Sequence, residues 1–218
     1  MSTSADLSGF RSVRPRRRQL VIAAAVVVVI AAIAIDTKVV TIGSDQDISE
    51  AGFSPESFGA AEFPKVRDNI EKRAVDAVTL ATAVAADKNA AAQQYGIKAG
   101  IGSVIPIAFT GVVGEGKSGI YYVNVDGMPA ETKIRMQTGP AINGTDLRDA
   151  TGEIKFGDFK NQIEYQNAGA AINNQMKKDV LAGIDTSTLP GKTVSVVGAF
   201  TLVNPKNWLV TPVEITVQ

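Results

Sequence analysis

Residues 105–125 read IPIAFTGVVGEGKSGIYYVNV: two apolar runs, Ile105–Val113 and Ile120–Val125, separated by the glycine-rich stretch Gly114–Gly119. Apolar residues recurring with a period of two, rich in β-branched and aromatic side chains, mark strands. Glycines between two such runs mark a hairpin. The same loop, GEGKSG, also resembles a phosphate cradle. It lacks the spaced glycines ahead of a Lys-Ser helix start which that cradle requires, so the hairpin reading is kept.

Toward the C-terminus the period of two returns several times. Lys133–Thr138 alternates, with Ile134 and Met136 on one face and Lys133, Arg135 and Gln137 on the other. Glu153–Phe156 offers Ile154 and Phe156 as a short inward pair. A helix follows over Gln162–Ala182, its stripe being Tyr165, Ala168, Ile172, Met176 and Val180, and Gly183 closes it. Thr193–Phe200 is apolar enough for a central strand. In the last run Val213, Ile215 and Val217 alternate with Glu214, Thr216 and Gln218, after Pro212. Three strand regions, a helix, then two strands is the layout of an α+β, OB-like five-stranded Greek-key barrel with its one helix between strands 3 and 4. An α+β sandwich with an extra strand pair is the rival arrangement.

Toward the N-terminus the pattern becomes helical. Ser54-Pro55-Glu56 reads as a helix start, with Ser54 as N-cap and Pro55 in the first helical position. Pro64 is expected to open a longer helix through Val66, Ile70, Ala74, Ala77, Ala81 and Val84, with a restart at Asp87 and a stop at Gly96. Thr37–Gly43 reads as a short extended piece. Before it, Leu20–Ile35 is an unbroken apolar run, LVIAAAVVVVIAAIAI, entered through Arg16-Arg17-Arg18. Its sixteen residues span about 24 Å as a helix at 1.5 Å per residue. Arginines on the N-terminal side place that side in the cytoplasm. A signal anchor is expected, a single pass through the bacterial cytoplasmic membrane with the C-terminal domain in the periplasm. Ala32-Ile33-Ala34 leaves a cleaved signal peptide as the alternative. The expected divisions are a basic tail at 1–19, the membrane helix at 20–35, a lead-in with helix at 36–104, and an OB-like β domain at 105–218.

The 22 basic and 22 acidic residues cancel, yet not uniformly. Residues 1–35 carry a net charge of +4 and the remainder −4. An acidic exported body is a poor match to the phosphate-neutralising surface of a nucleic-acid binder, so no nucleic-acid partner is expected. The 218 residues contain neither cysteine nor histidine. That removes disulfides, thiolate catalysis, a lipid-bearing cysteine, Ser-His pairs and the common histidine-based zinc sites. No cofactor is expected.

The densest polar stretch is Gly139–Tyr165, GPAINGTDLRDATGEIKFGDFKNQIEY. Its carboxylates Asp146, Asp149, Asp158 and Glu164 are candidates for acid–base work or for holding a hard cation. A structural use competes with that. Asn161 with Glu164 three positions on is a helix N-cap with a capping-box partner, and Asp146 and Asp149 sit in a turn beside Gly144 and Gly152. The residues singled out for binding are Arg148, Asp149, Asn161, Gln162, Glu164 and Trp208. Among the aromatics, Trp208, Tyr121, Tyr122 and Tyr165 are the candidate platforms for a sugar, and core positions are the plainer use of Tyr165 and Trp208.

Several segments together resemble a known family, the predicted periplasmic lipoproteins of a domain-of-unknown-function family. They are Thr37–Ser44, Gly144–Ala150, Phe156–Tyr165, and Gly191-Lys192 leading to Gly198-Ala199-Phe200, and the resemblance covers residues 36–218. It implies a periplasmic, lipoprotein-like protein encoded near sugar ABC transporters, with transporter subunits or a small solute such as a sugar as partners. It supplies no catalytic residues. The expectation is a membrane-anchored, non-catalytic accessory or binding protein. The alternative is a carboxylate-dependent periplasmic hydrolase using the Asp146–Glu164 stretch.

Overall fold

The computed structural model describes residues 15–36 and 52–218, with side chains for 19–33 in the first stretch. The basic tail before Pro15 and the extended piece expected at Thr37–Gly43 lie outside the described residues. The chain divides into two units, Met1–Gly52 and Phe53–Gln218.

In the first unit α1 (Pro15–Asp36) carries the apolar run. Its described side chains, 19–33, are exposed around the whole circumference, Leu20 at 68%, Ile22 at 60% and Val28 at 67%. A helix with apolar residues all round has no polar face to turn to water. Among the described residues no helix is long and apolar enough to cross a membrane. The described side chains, residues 19–33, cover about 22 Å of helix, short of the ~30 Å hydrocarbon core.

The second unit opens with three helices, not with one long one. α2 (Pro55–Arg73) starts on Ser54, whose hydroxyl accepts from the Ser57 N–H, and Pro64 lies inside it. It stops at Ala74, where the chain becomes extended as β1 (Val75–Asp76). Asp76 caps α3 (Ala77–Ala86) by accepting the Thr79 N–H at 2.9 Å, and Asp87 caps α4 (Lys88–Tyr95), which ends at Gly96. The continuous alanine periodicity conceals this break. The sequence signals that reveal it are the two aspartates, each able to satisfy orphan N–H groups at a helix start.

The strands that follow are β2 (Ile97–Ala99), β3 (Gly102–Lys117), β4 (Ile120–Asn124) and β5 (Lys133–Gln137). β3 continues through most of the supposed loop, because a bulge between Val113 and Gly116 absorbs the extra residues. The β3–β4 turn is then only Ser118-Gly119, both with positive φ (54° and 75°). A Cβ on Gly119 would collide with the Gly139 carbonyl, so this turn demands glycine there.

Next come the single turn α5 (Asp146–Asp149), a short 3₁₀ turn at Phe156–Asp158, and α6 (Gln162–Met176) with a wider turn after it at Lys177–Leu181. The expected strand at Glu153–Phe156 does not form, and Phe156 is 51% exposed. β6 (Thr193–Thr201) and β7 (Asn207–Val217) complete the sheet. Pro212 falls within β7, at the register shift between Val197 and Gly198 where a ladder donor is dispensable.

β3 pairs with β4, β4 with β5, β5 with β7, β7 with β6, and β6 with β3, so these five strands form a closed circuit. Within this circuit every pairing is antiparallel except β5–β7, and β1 adds a short parallel pairing to β3. One core lies against the sheet's apolar face and takes in Ile105, Ile107, Ile134, Met136, Phe200 and Trp208 together with Leu80 and Val84 of α3. A second lies between α2, α6 and the sheet, built on Phe63, Val66, Ile70, Leu147, Ile172, Met176 and Val213. Gly59 lets α2 approach α6 closely, since a Cβ there would press on the Ala171 carbonyl.

Candidate functional site

The polar stretch before α6 folds around α5. Gly144, at φ 95°, turns the chain, and the Asn173 side chain of α6 donates to its carbonyl at 3.0 Å. Thr145 Oγ1 donates to Asp149 Oδ2 at 2.7 Å. Arg148 is only 7% exposed. Its Nε donates to Asp149 Oδ1 at 2.8 Å, its Nη2 to Asp149 Oδ2 at 3.2 Å and its Nη1 to the Tyr165 carbonyl at 3.0 Å. The guanidinium also lies 3.6 Å from the Tyr165 ring centroid. Arg148 is thereby neutralised and held by a two-toothed pair and by α6.

Behind this turn runs a second polar network. Gln137 donates to the Asn143 carbonyl at 3.1 Å and to Thr211 Oγ1 at 2.9 Å, and it accepts the Asn143 N–H at 3.0 Å. Thr211 donates to Asp146 Oδ2 at 3.5 Å, and Thr201 donates to Asp146 Oδ1. Burial, reinforced by the nearby Asp149 charge and opposed by the two hydroxyls, pushes the Asp146 carboxyl up to about 6. A carboxyl that holds its proton more tightly when folded contributes stability that is fully present below pH 3.8 and lost as pH rises through 6. Asp146→Asn is therefore expected to change little near pH 4 and to stabilise at pH 8 by up to about 3 kcal/mol, read from urea unfolding at the two pH values.

Arg148, Asp149 and Tyr165 form the back of an open cleft of about 640 Å³. Lys98 of β2, Ile101 of the β2–β3 turn, Lys155 and Phe156 also line it. This volume suits a small ligand. A second groove, about 450 Å³, has the rings of Phe53, Phe58 and Phe159 packed 5.3–5.6 Å apart, with Glu62, Glu153, Asp158 and Glu164 among its lining.

The sequence-selected residues part company here. Arg148 and Asp149 meet in the first cleft. Asn161 and Glu164 are spent on the start of α6: Asn161 accepts the Glu164 N–H and the Glu164 carboxylate accepts the Lys160 N–H, both at 2.9 Å. Gln162 is exposed in the first turn of α6, outside the cleft. Trp208 is fully buried, stacks on Phe200 with centroids 4.9 Å apart and donates its indole N–H to the Pro205 carbonyl. As a sugar platform it is ruled out, because no face of its ring reaches solvent. Asp158 caps its own turn by accepting the Lys155 N–H. Thr201, Thr211 and Gln137 were missed, since single polar residues inside β-strand alternation read as solvent-facing. No group of acidic residues placed to hold a metal ion occurs among the described residues.

The fold defines the class. An OB-fold protein from Thermotoga maritima, solved at 1.90 Å, superimposes with a TM-score of 0.63 at 21% identity, covering 77% of this chain and 99% of that one. The chain belongs to the family described as predicted periplasmic lipoprotein, domain-of-unknown-function family 2291, which matches residues 24–216. No curated protein matches it. Membership supports an extracytoplasmic location. The lipoprotein part of the description has no cysteine to rest on in this sequence.

Proposed function

We propose that this chain is a membrane-held, extracytoplasmic, non-catalytic accessory or binding protein that serves solute uptake. Membership of a periplasmic family in a chain without a lipid-bearing cysteine carries the reading. The apolar, arginine-flanked helix is then the anchor in place of a lipid. The run Leu20–Ile35 is short for the bilayer core, a mismatch that a bilayer accommodates by thinning locally. A tether of this kind raises the concentration of the domain near membrane partners without any added contact. The family resemblance makes sugar-transporter subunits the first partners to look for.

The self-satisfied ionic groups favour a scaffold over a catalyst: Arg148 is paired with Asp149, and Asp158 and Glu164 hold backbone N–H groups. The hydrolase alternative draws on one observation, the raised Asp146 carboxyl near Asp149. Its test is Asp146→Asn, which on that reading abolishes the cellular phenotype without lowering stability.

The anchor is tested by alkaline carbonate extraction of membranes and by a periplasm-active reporter fused after Gln218. The full chain is expected to stay in the pellet and the reporter to be active. Deleting residues 20–35 is expected to abolish both. Recovery of transporter subunits with the detergent-solubilised chain supports the accessory role, and a chain that is recovered alone sinks it.

A further inference from the structure

Arg135 occupies the centre of β5 on the face opposite the buried Ile134 and Met136. Its register partners are Tyr122 of β4 and Leu209 of β7, so the residue is flanked by a strand neighbour on each side. Its Nε is buried with no hydrogen-bond partner. Among the described residues neither Arg135 nor the adjacent Lys117 forms an ion pair. Tyr122 leaves 46% of its surface exposed. These groups share a concavity of about 330 Å³ with Glu115, Gly116, Lys117 and Ile120. The bulge in β3, between Val113 and Gly116, sits beside it. The concavity shares no lining residue with the Arg148–Asp149 cleft.

Contrast the two arginines. Arg148 has every nitrogen engaged and can be understood as structure alone. Arg135 is held in place by the sheet, is partly removed from water, and is given nothing to bond. Leaving a buried donor without an acceptor disfavours the fold, and with the Nε closed to solvent it is the Nη end of the guanidinium that a ligand can meet. A guanidinium fork fits a carboxylate or phosphate with two parallel bonds, which a lysine cannot do. An exposed tyrosine ring beside it offers a flat surface to the rest of a ligand.

We infer that the Tyr122–Arg135 face is a binding site for a small anionic solute: a carboxylate or phosphate seated on Arg135, with the rest of the solute packed against the Tyr122 ring. Lys117 adds a second positive charge at the edge. The reading does not depend on the membrane anchor or on the transporter.

Calorimetric titration of the full chain in detergent micelles tests it, with glucuronate as the carboxylate probe, glucose 6-phosphate as the phosphate probe and glucose as the neutral control. At least one anionic probe is expected to bind saturably, about 10–100-fold tighter than glucose. Which of the two binds identifies the anion. Arg135→Met is expected to remove binding while its thermal midpoint stays at or above that of the parent, because the variant removes an unsatisfied donor. Arg135→Lys, which keeps the charge and loses the fork, is expected to recover only a small part of the affinity, and Tyr122→Ala to weaken it. The inference is overturned if neither anion binds, or if glucose binds as well as the anions. It also fails if Arg135→Met and Glu115→Gln lower the midpoint alike, since Arg135 would then be a structural partner of Glu115.

Discussion

Asp149→Ala is expected to lower the thermal midpoint of the full chain by roughly 6–12 °C, corresponding to about 3 kcal/mol for a domain of this size. The reason is the state in which it leaves Arg148. In the parent, the guanidinium is almost wholly buried and both of its links to a negative charge run to Asp149. After truncation only the Tyr165 carbonyl and ring remain. A buried cation without its counter-ion costs far more than the pair contributes in place, so the loss reflects an abandoned charge. Two companion variants separate these terms. Asp149→Asn keeps an acceptor oxygen and should lose clearly less. The double variant Arg148→Met, Asp149→Leu removes both charges and should be more stable than Asp149→Ala alone. A double variant worse than the single one would show that the pair stabilises in its own right. The measurement is a thermal melt followed by circular dichroism.

The same pair shows where the sequence could be read and where it could not. The strands on either side of α6 were visible from alternation, because Ile134/Met136 and Val213/Ile215 announce which side of each strand is apolar; their closure was not, since it rests on the tertiary pairings β3–β6 and β5–β7. The α6 stripe was visible as well, and Ala168, Ile172 and Met176 are buried as its spacing required. Caps were legible wherever a short polar residue preceded a periodic run, as at Ser54, Asp87 and Asn161. The split between α2 and α3 was not, because alanine fits both a helix face and its interruption, and the pairing of Val75 with Ile107 that ends the helix is a tertiary contact. In the candidate site, proximity in sequence was a good guide to Arg148 and Asp149, which are neighbours in one turn. It misled for Asn161 and Glu164, whose polar atoms are consumed by the backbone. It gave no hint of Asp146 meeting Thr201 and Thr211, which lie 55 and 65 positions away. Arg135 was invisible for a different reason. A basic residue at every second position is what a solvated strand face looks like, and only burial of its Nε distinguishes it.

Trp208→Ala is expected to be the most damaging single truncation in the domain, at about 3–5 kcal/mol. Three losses coincide at this position. The ring is fully buried, so its apolar transfer free energy disappears along with the packing around the space it vacates. Its stacked partner, Phe200 of β6, keeps no ring against it, although β5, β6 and β7 meet at this part of the core. The Pro205 carbonyl loses the indole N–H that ties down the β6–β7 turn. Trp208→Phe retains most of the volume and the stacking, and should lose only about 1–2 kcal/mol. Urea unfolding supplies these numbers. The decisive comparison adds the anionic probes: Trp208→Phe should bind them as the parent does, because the ring is sealed inside while Tyr122 and Arg135 face the opposite side of the sheet. Loss of probe binding with stability retained would instead place the tryptophan in a ligand site, against its burial.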